Sequence, residues 1–144
     1  MVLSVPNVRQ AKEYDCGDAV AFCILQFHRV EAHFKLANPQ QGTDPVSIET
    51  RLRNMGFEVL SGPAKIEDLK HFCDTRRPVI TIVHWPDWED SHYIVVRGVS
   101  RGYVYFHDPL EGPGKAKVAD FDRAWVAYGR IGVYRRWSIV AWTP

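Results

Sequence analysis

Up to about residue 76 the apolar positions of this chain recur mostly at helical spacing, and from Pro78 onward they fall into short β-branched blocks. The run Ala19-Val20-Ala21-Phe22-Cys23-Ile24-Leu25 is apolar almost all round, which predicts a buried, central helix from Cys16 to about Arg29. A second helix is expected after Thr43 or Asp44 as cap, with Pro45 in its first turn and Gly56 as its stop. Val46, Ile48, Leu52 and Met55 share roughly one face of it. A third helix should run from Ala64 to about Thr75, with Ile66, Leu69, His71 and Phe72 near its buried side. Three short segments fall outside these helices. Residues 1–9, with Pro6, read as an extended lead-in or edge strand; 38–44 as a turn-rich loop; Phe57 to Leu60 as a short strand ending in the turn Ser61-Gly62-Pro63.

Val79-Ile80-Thr81-Ile82-Val83 opens the β part. His92 to Val99 and Tyr103 to His107 are two further strands, joined by Ser100-Arg101-Gly102 as a three-residue hairpin loop. Leu110 to Ala116 reads as a turn region, Asp120 to Tyr128 as a short helix, and Ile131–Tyr134 and Ser138–Trp142 as closing strands. Helices first and mostly antiparallel strands afterwards make an α+β domain. At 144 residues, 46% hydrophobic and 24% charged, residues 1–144 are expected to form one globular domain with a substantial core.

Charge and cysteine content narrow the function classes. A formal net charge of +1 gives no reason to expect nucleic acid as a partner. No apolar run reaches the length of a membrane span, and the N-terminus lacks the basic and apolar regions of a signal peptide. Three cysteines without a Cys-x-x-Cys spacing argue against a disulfide framework and for a reducing compartment, with cytoplasm the default. The same spacing gives no support to a metal site, and no cofactor is implied.

Cys16 is where chemistry enters. Asp15 is a good N-cap and Asp18 an acidic first-turn residue, so Cys16 falls at the first helical position. The positive end of a helix favours thiolate over thiol, which makes a nucleophile near neutral pH. Gly17 removes a side chain beside the sulfur and would let a substrate backbone come close. Gln10 could offer a side-chain N–H to an oxyanion. Cys23, two turns along, is expected to be a packed core residue.

Strand parity supplies a base. With the three-residue loop, Ile94 lies opposite Asp108, and His92, two residues away on the same face, is its diagonal neighbour. Diagonal pairs lie about 7–8 Å apart at the backbone, close enough for imidazole and carboxylate to meet. A two-residue loop would put them on opposite faces. His92 would take the thiol proton and Asp108 would hold the ring in its working tautomer. Each residue has an ordinary alternative: a core-helix thiol, a strand-end histidine, a turn aspartate before proline. The set points to chemistry. His84 and His107 are competing bases; His107 has the wrong strand parity. In the loop before His92, Trp85, Trp88 and Ser91 are candidates to line a substrate groove, with Asp87, Glu89 and Asp90 favouring a basic segment. Alternatively the tryptophans pack down and the acids are a solvated rim.

The residues resemble a known family. Gln10 followed after five residues by Cys16-Gly17-x-Ala19, the strand Arg77-Pro78-Val79-Ile80, the strand His92-Tyr93-Ile94-Val95-Val96, Asp108-Pro109, and Phe121 with Trp125 are similar to the peptidase domain of bacteriocin-processing ABC exporters. Those papain-like proteases remove double-glycine leader peptides. The resemblance covers most of the chain in order. It implies a papain-like fold, with a helical half carrying the nucleophile packed on an antiparallel sheet that carries His and Asp. It also implies Cys16 as nucleophile, His92 as base, Asp108 as orienter and Gln10 as oxyanion donor, acting on a peptide or protein substrate. Lacking membrane and ATP-binding regions, the chain reads as a free-standing relative. Departures such as His28-Arg29-Val30, where the family has an aromatic-glycine helix end, bear on double-glycine specificity more than on chemistry. The expected activity is a cysteine peptidase working through a thioester. An amidase, deamidase or transpeptidase using the same triad is the alternative, and a non-catalytic binding module is disfavoured by the complete residue set.

Overall fold

The computed structural model describes residues 1–10, 16–32, 43–128 and 132–144. The expected Asp15 cap and most of the 38–44 loop lie outside these residues. Among the described residues four helices flank one six-stranded sheet. The helices are α1 (Cys16–Phe27), α2 (Pro45–Asn54), α3 (Ile66–Asp74) and α4 (Val118–Ala124). The strands are β1 (Glu58–Pro63), β2 (Val79–Val83), β3 (His92–Ser100), β4 (Tyr103–Asp108), β5 (Gly112–Lys117) and, after a two-stranded ribbon of β6 (Val126–Ala127) and β7 (Tyr134–Arg135), β8 (Trp137–Trp142). The sheet order is β1-β8-β2-β3-β4-β5, antiparallel throughout.

Each face of the sheet has its own core. Tyr93 and Val95 of β3 pack with Val20, Ile24, Ile48 and Leu52 of α1 and α2. Ile94 and Val96, pointing the other way, pack with Leu69 and Cys73 of α3 and with Phe121 near α4's centre. A strand buried on both faces needs a mostly apolar run instead of alternation, which explains why β2, apart from Thr81, and most of β3 are apolar at successive positions. As expected, Asp44 caps α2: its carboxylate accepts from the Ser47 N–H at 2.8 Å, with Pro45 opening the helix. Among the described residues no helix is long and apolar enough to cross a membrane.

Three expectations are corrected. Ser61-Gly62-Pro63 is not a turn but the end of β1, paired with Ile139, Ser138 and Trp137. The turn region Leu110–Ala116 contains the edge strand β5. Its Gly-Pro-Gly composition hides it, because proline and glycine are tolerated at an edge where one side needs no partner. The late helix stops at Ala124, four residues early, and Val126–Ala127 pair with Tyr134–Arg135 instead.

The β3–β4 hairpin reaches the expected register by a different route. Ser100 pairs with Tyr103, so the loop is two residues, Arg101-Gly102, both left-handed at φ 53° and 84°. That is the two-residue turn whose twist suits a hairpin. Alone it would separate His92 and Asp108 to opposite faces. A bulge between Val96 and Gly98 inserts one extra residue, Arg97, and restores the parity: Val96 pairs with Phe106 and Val95 with His107, so Ile94 falls opposite Asp108. The bulged residue is held from outside, since the Arg97 carbonyl accepts from Leu3 N–H at 2.7 Å and its guanidinium donates to the Leu3 carbonyl at 3.1 Å.

Candidate active site

Four segments converge beside the start of β3. The first, residues 3–10, runs along the hairpin. His107 Nε2 donates to the Val8 carbonyl at 2.7 Å, Arg9 donates to the Leu110 carbonyl at 2.8 Å, and the Gln10 N–H donates to the Pro109 carbonyl at 2.9 Å. These bonds set half-buried Gln10 next to the residue that follows Asp108. The second segment is the start of α1, where Cys16 is half-buried and first in the helix. The third and fourth are the start of β3 and the end of β4, which bring His92 and Asp108 together.

His92 Nε2 lies 2.6 Å from Asp108 Oδ1, with His92 6% and Asp108 2% exposed. The same carboxylate oxygen accepts from the backbone N–H groups of Leu110 at 2.8 Å and Glu111 at 3.3 Å. Burial opposes charge on both members of the pair. For His92 the hydrogen bonds and charges of Asp108 and Cys16 outweigh burial and push the imidazole up to about 9. For Asp108 the His92 bond and charge, with the two N–H donors, outweigh burial and hold the carboxyl below its ordinary range. With Nε2 bonded to Asp108, the other ring nitrogen is left for the Cys16 sulfur, the second group bonded to His92. The Trp88 ring lies over the imidazole, centroids 5.4 Å apart and tilted 43°. An indole there shields the imidazole–carboxylate bond from water, which strengthens it. A sulfur, an imidazole and a carboxylate in series can make a nucleophile, move its proton and hold the resulting imidazolium.

The other candidates have different duties. Gly17 is buried, and a Cβ there would lie 2.5 Å from the Thr43 side chain. Its missing side chain makes room for Thr43 and not for a substrate backbone. Ser91 does not face a groove: its hydroxyl accepts from the Tyr128 N–H at 2.9 Å and pairs with His84 Nδ1 at 3.1 Å, tying the loop to the segment after α4. That bond engages one ring nitrogen of His84 away from Cys16 and His92, and the Val8 carbonyl occupies His107 Nε2. Trp85 packs on Phe106 and Phe121, at 5.5 and 6.5 Å between ring centroids. The backbone donors at Leu110 and Glu111 come from the structure; their sign in the sequence is Asp108 itself, since an aspartate that bonds N–H groups two and three residues on is a familiar turn habit. Among the described residues no group of three or more His, Cys, Asp or Glu is placed to hold a metal ion.

The three thiols differ sharply. Cys23 and Cys73 are fully buried, donate to the Pro6 and Val96 carbonyls, and are pushed up to about 12, chiefly by burial. Because only the thiolate is a nucleophile, iodoacetamide at neutral pH should label Cys16 at least ~10-fold faster than either. Peptide mapping of the labelled protein checks this; equal rates at all three would remove the case for an activated Cys16.

Comparison with known proteins bears on the family and the fold. The model of the peptidase C39 family matches residues 4–129. No curated protein matches the chain at a significant level. Among solved structures, a double glycine motif protease from an AMS/PCAT transporter, in complex with the leader peptide, is 22% identical with a TM-score of 0.74, over 97% of this chain and 92% of that one. The peptidase domain of Streptococcus ComA, a bifunctional ABC transporter of a quorum-sensing pathway, is 20% identical with a TM-score of 0.71, over 95% and 97%. A C39-like peptidase from Bacillus anthracis is 16% identical with a TM-score of 0.76, over 99% and 97%. At these identities the structures establish a shared fold, an α+β papain-like peptidase.

Proposed function

The chain belongs to the peptidase C39 family and is a cysteine peptidase, and from that premise we propose that it hydrolyses a peptide bond through Cys16, His92 and Asp108, with Gln10 assisting. The observation that carries this reading is the buried 2.6 Å His92–Asp108 bond with the Cys16 sulfur against the same ring. His92 takes the Cys16 proton and the sulfur attacks the scissile carbonyl carbon. The oxyanion is held by the Cys16 backbone N–H at the start of α1 and by the Gln10 side-chain amide. As the C–N bond breaks, the proton passes from His92 to the leaving amine and a thioester remains on Cys16. Water, giving its proton to His92, then attacks the thioester, releasing a carboxylate and restoring the thiol. Asp108 keeps the ring oriented throughout and stabilises the imidazolium. The family match over residues 4–129 supports reading residues 1–144 as a single peptidase unit.

The substrate is a peptide segment with small residues, of Gly-Gly type, before the cut. Support comes from a structural neighbour that is itself a double glycine motif protease bound to a leader peptide. Profiling the purified protein against a peptide library containing Gly-Gly leaders tests this, with cleavage after small residues as the expected result. Release of ammonia, or uptake of an added amine without hydrolysis, would instead make the same triad that of a deamidase or transpeptidase.

A further inference from the structure

A cleft of about 590 Å³ opens between the loop before β3, the end of β4 and α4. Trp85, Trp88 and Phe106 line it, together with Asp108 and Glu111. It adjoins the reacting centre directly: Asp108 bonds to His92, and the Trp88 ring that lines the cleft lies against the His92 ring. None of its lining residues comes from α1. The aromatic wall is preformed, because Trp85 is braced by Phe106 and Phe121.

The chemistry decides which half of a substrate this cleft can hold. In acyl transfer the half before the scissile bond stays on Cys16. The other half departs as an amine carrying the proton of His92, so it leaves past the imidazole. With a side chain's width between His92 and the cleft, and 3.3–3.6 Å per extended residue, roughly the first two or three residues after the bond reach it. Charge then refines the choice. Of the basic groups that line the cleft, Arg123 is paired with Asp120, and Lys115, over the Tyr103 ring at 4.5 Å, keeps its charge. Glu111 lines the cleft, and Asp87, Glu89 and Asp90 belong to the loop that carries Trp85 and Trp88; these four exposed acids make no ion pair among the described residues. The cleft is therefore an aromatic slot whose lining and flanking loop carry four unpaired acids against the one unpaired Lys115, which favours cations.

We propose that this cleft binds the substrate segment following the scissile bond and selects a large apolar or aromatic side chain beside a basic one. The assignment rests on the peptidase reading above. Its test uses peptides that share the best acyl half from the library and differ only after the cut, carrying Phe-Lys, Phe-Glu, Ala-Lys or Ala-Glu. The wild-type protein should cleave Phe-Lys with a kcat/KM at least ~10-fold above Ala-Glu. Glu111→Lys, at an exposed position, should reverse the preference between Phe-Lys and Phe-Glu, and Trp85→Ala should bring the Phe-to-Ala ratio close to one. Equal cleavage of all four peptides by the wild type, or an unchanged Lys-to-Glu ranking in Glu111→Lys, would overturn the cleft assignment and leave the peptidase reading intact. Cleavage of none would overturn the peptidase reading, and the cleft assignment with it.

Discussion

Cys16→Ala is expected to lose peptide hydrolysis by ~10³-fold or more while folding as the parent does. The rate loss follows from removing the atom that forms the thioester: what remains is binding and oxyanion stabilisation without a nucleophile. The fold should survive because Cys16 is half-buried at the first position of α1, ahead of the fully buried Val20, Ile24 and Leu25 that anchor the helix. Alanine is a good helix former and removes a single heavy atom, a change of ~1 kcal/mol or less at such a site. Steady-state cleavage of the best library peptide, with thermal melting as the control, decides the matter. A Cys16→Ala protein as active as the parent would sink the mechanism.

The second large effect belongs to Asp108, where two substitutions separate orientation from charge. Asp108→Ala removes the acceptor of the His92 bond and of the Leu110 and Glu111 N–H groups. With the ring unheld, kcat/KM should fall on the order of 10²-fold or more. Asp108→Asn keeps an acceptor oxygen but not the charge, so its main effect should appear in the pH profile. In the parent, His92 is raised to about 9, against burial, by its bonds and charges with Asp108 and Cys16. The proton that the leaving amine needs is thus present below that pH, and activity should be lost as pH rises through about 9. In Asp108→Asn burial loses its main opponent, and the alkaline limb should move to lower pH. An alkaline limb at the same pH in parent and Asp108→Asn would show that this carboxylate does not set the imidazole's protonation.

Local physics accounts for most of what could be read in advance. The central helix, the Asp44 cap with Pro45, and the β-branched strand Val79–Val83 each follow from a few adjacent residues, and each is found in place. The departures from local expectation are non-local. The Gly-Pro-Gly stretch at 112–114 is a strand only because β4 offers its edge, and Ser61–Pro63 only because β8 pairs with it. Gly17, beside the sulfur, looked like a place for a substrate backbone; Thr43, distant in sequence, occupies that space. Ser91 likewise binds Tyr128, 37 residues on.

The hairpin shows the division most clearly. Side chains alternate with period two, so whether His92 and Asp108 share a face depends on every residue between them. The expected three-residue loop and the observed two-residue loop with a bulge at Arg97 differ by one residue at two points, and the differences cancel. A glycine following Arg97 inside the strand was the available sign of a bulge. The amino-acid sequence by itself determined which residue types stand at which spacings: a cysteine opening an apolar helix, a histidine opening an apolar strand, an aspartate before proline at the end of the next. Only the tertiary structure decided that β8 enters between β1 and β2, that residues 3–10 run along the hairpin to carry Gln10 to Pro109, and that Trp88 covers His92 beside a cleft. These depend on contacts between segments far apart in the chain, whose energies come from burial and pairing that no short stretch of sequence contains.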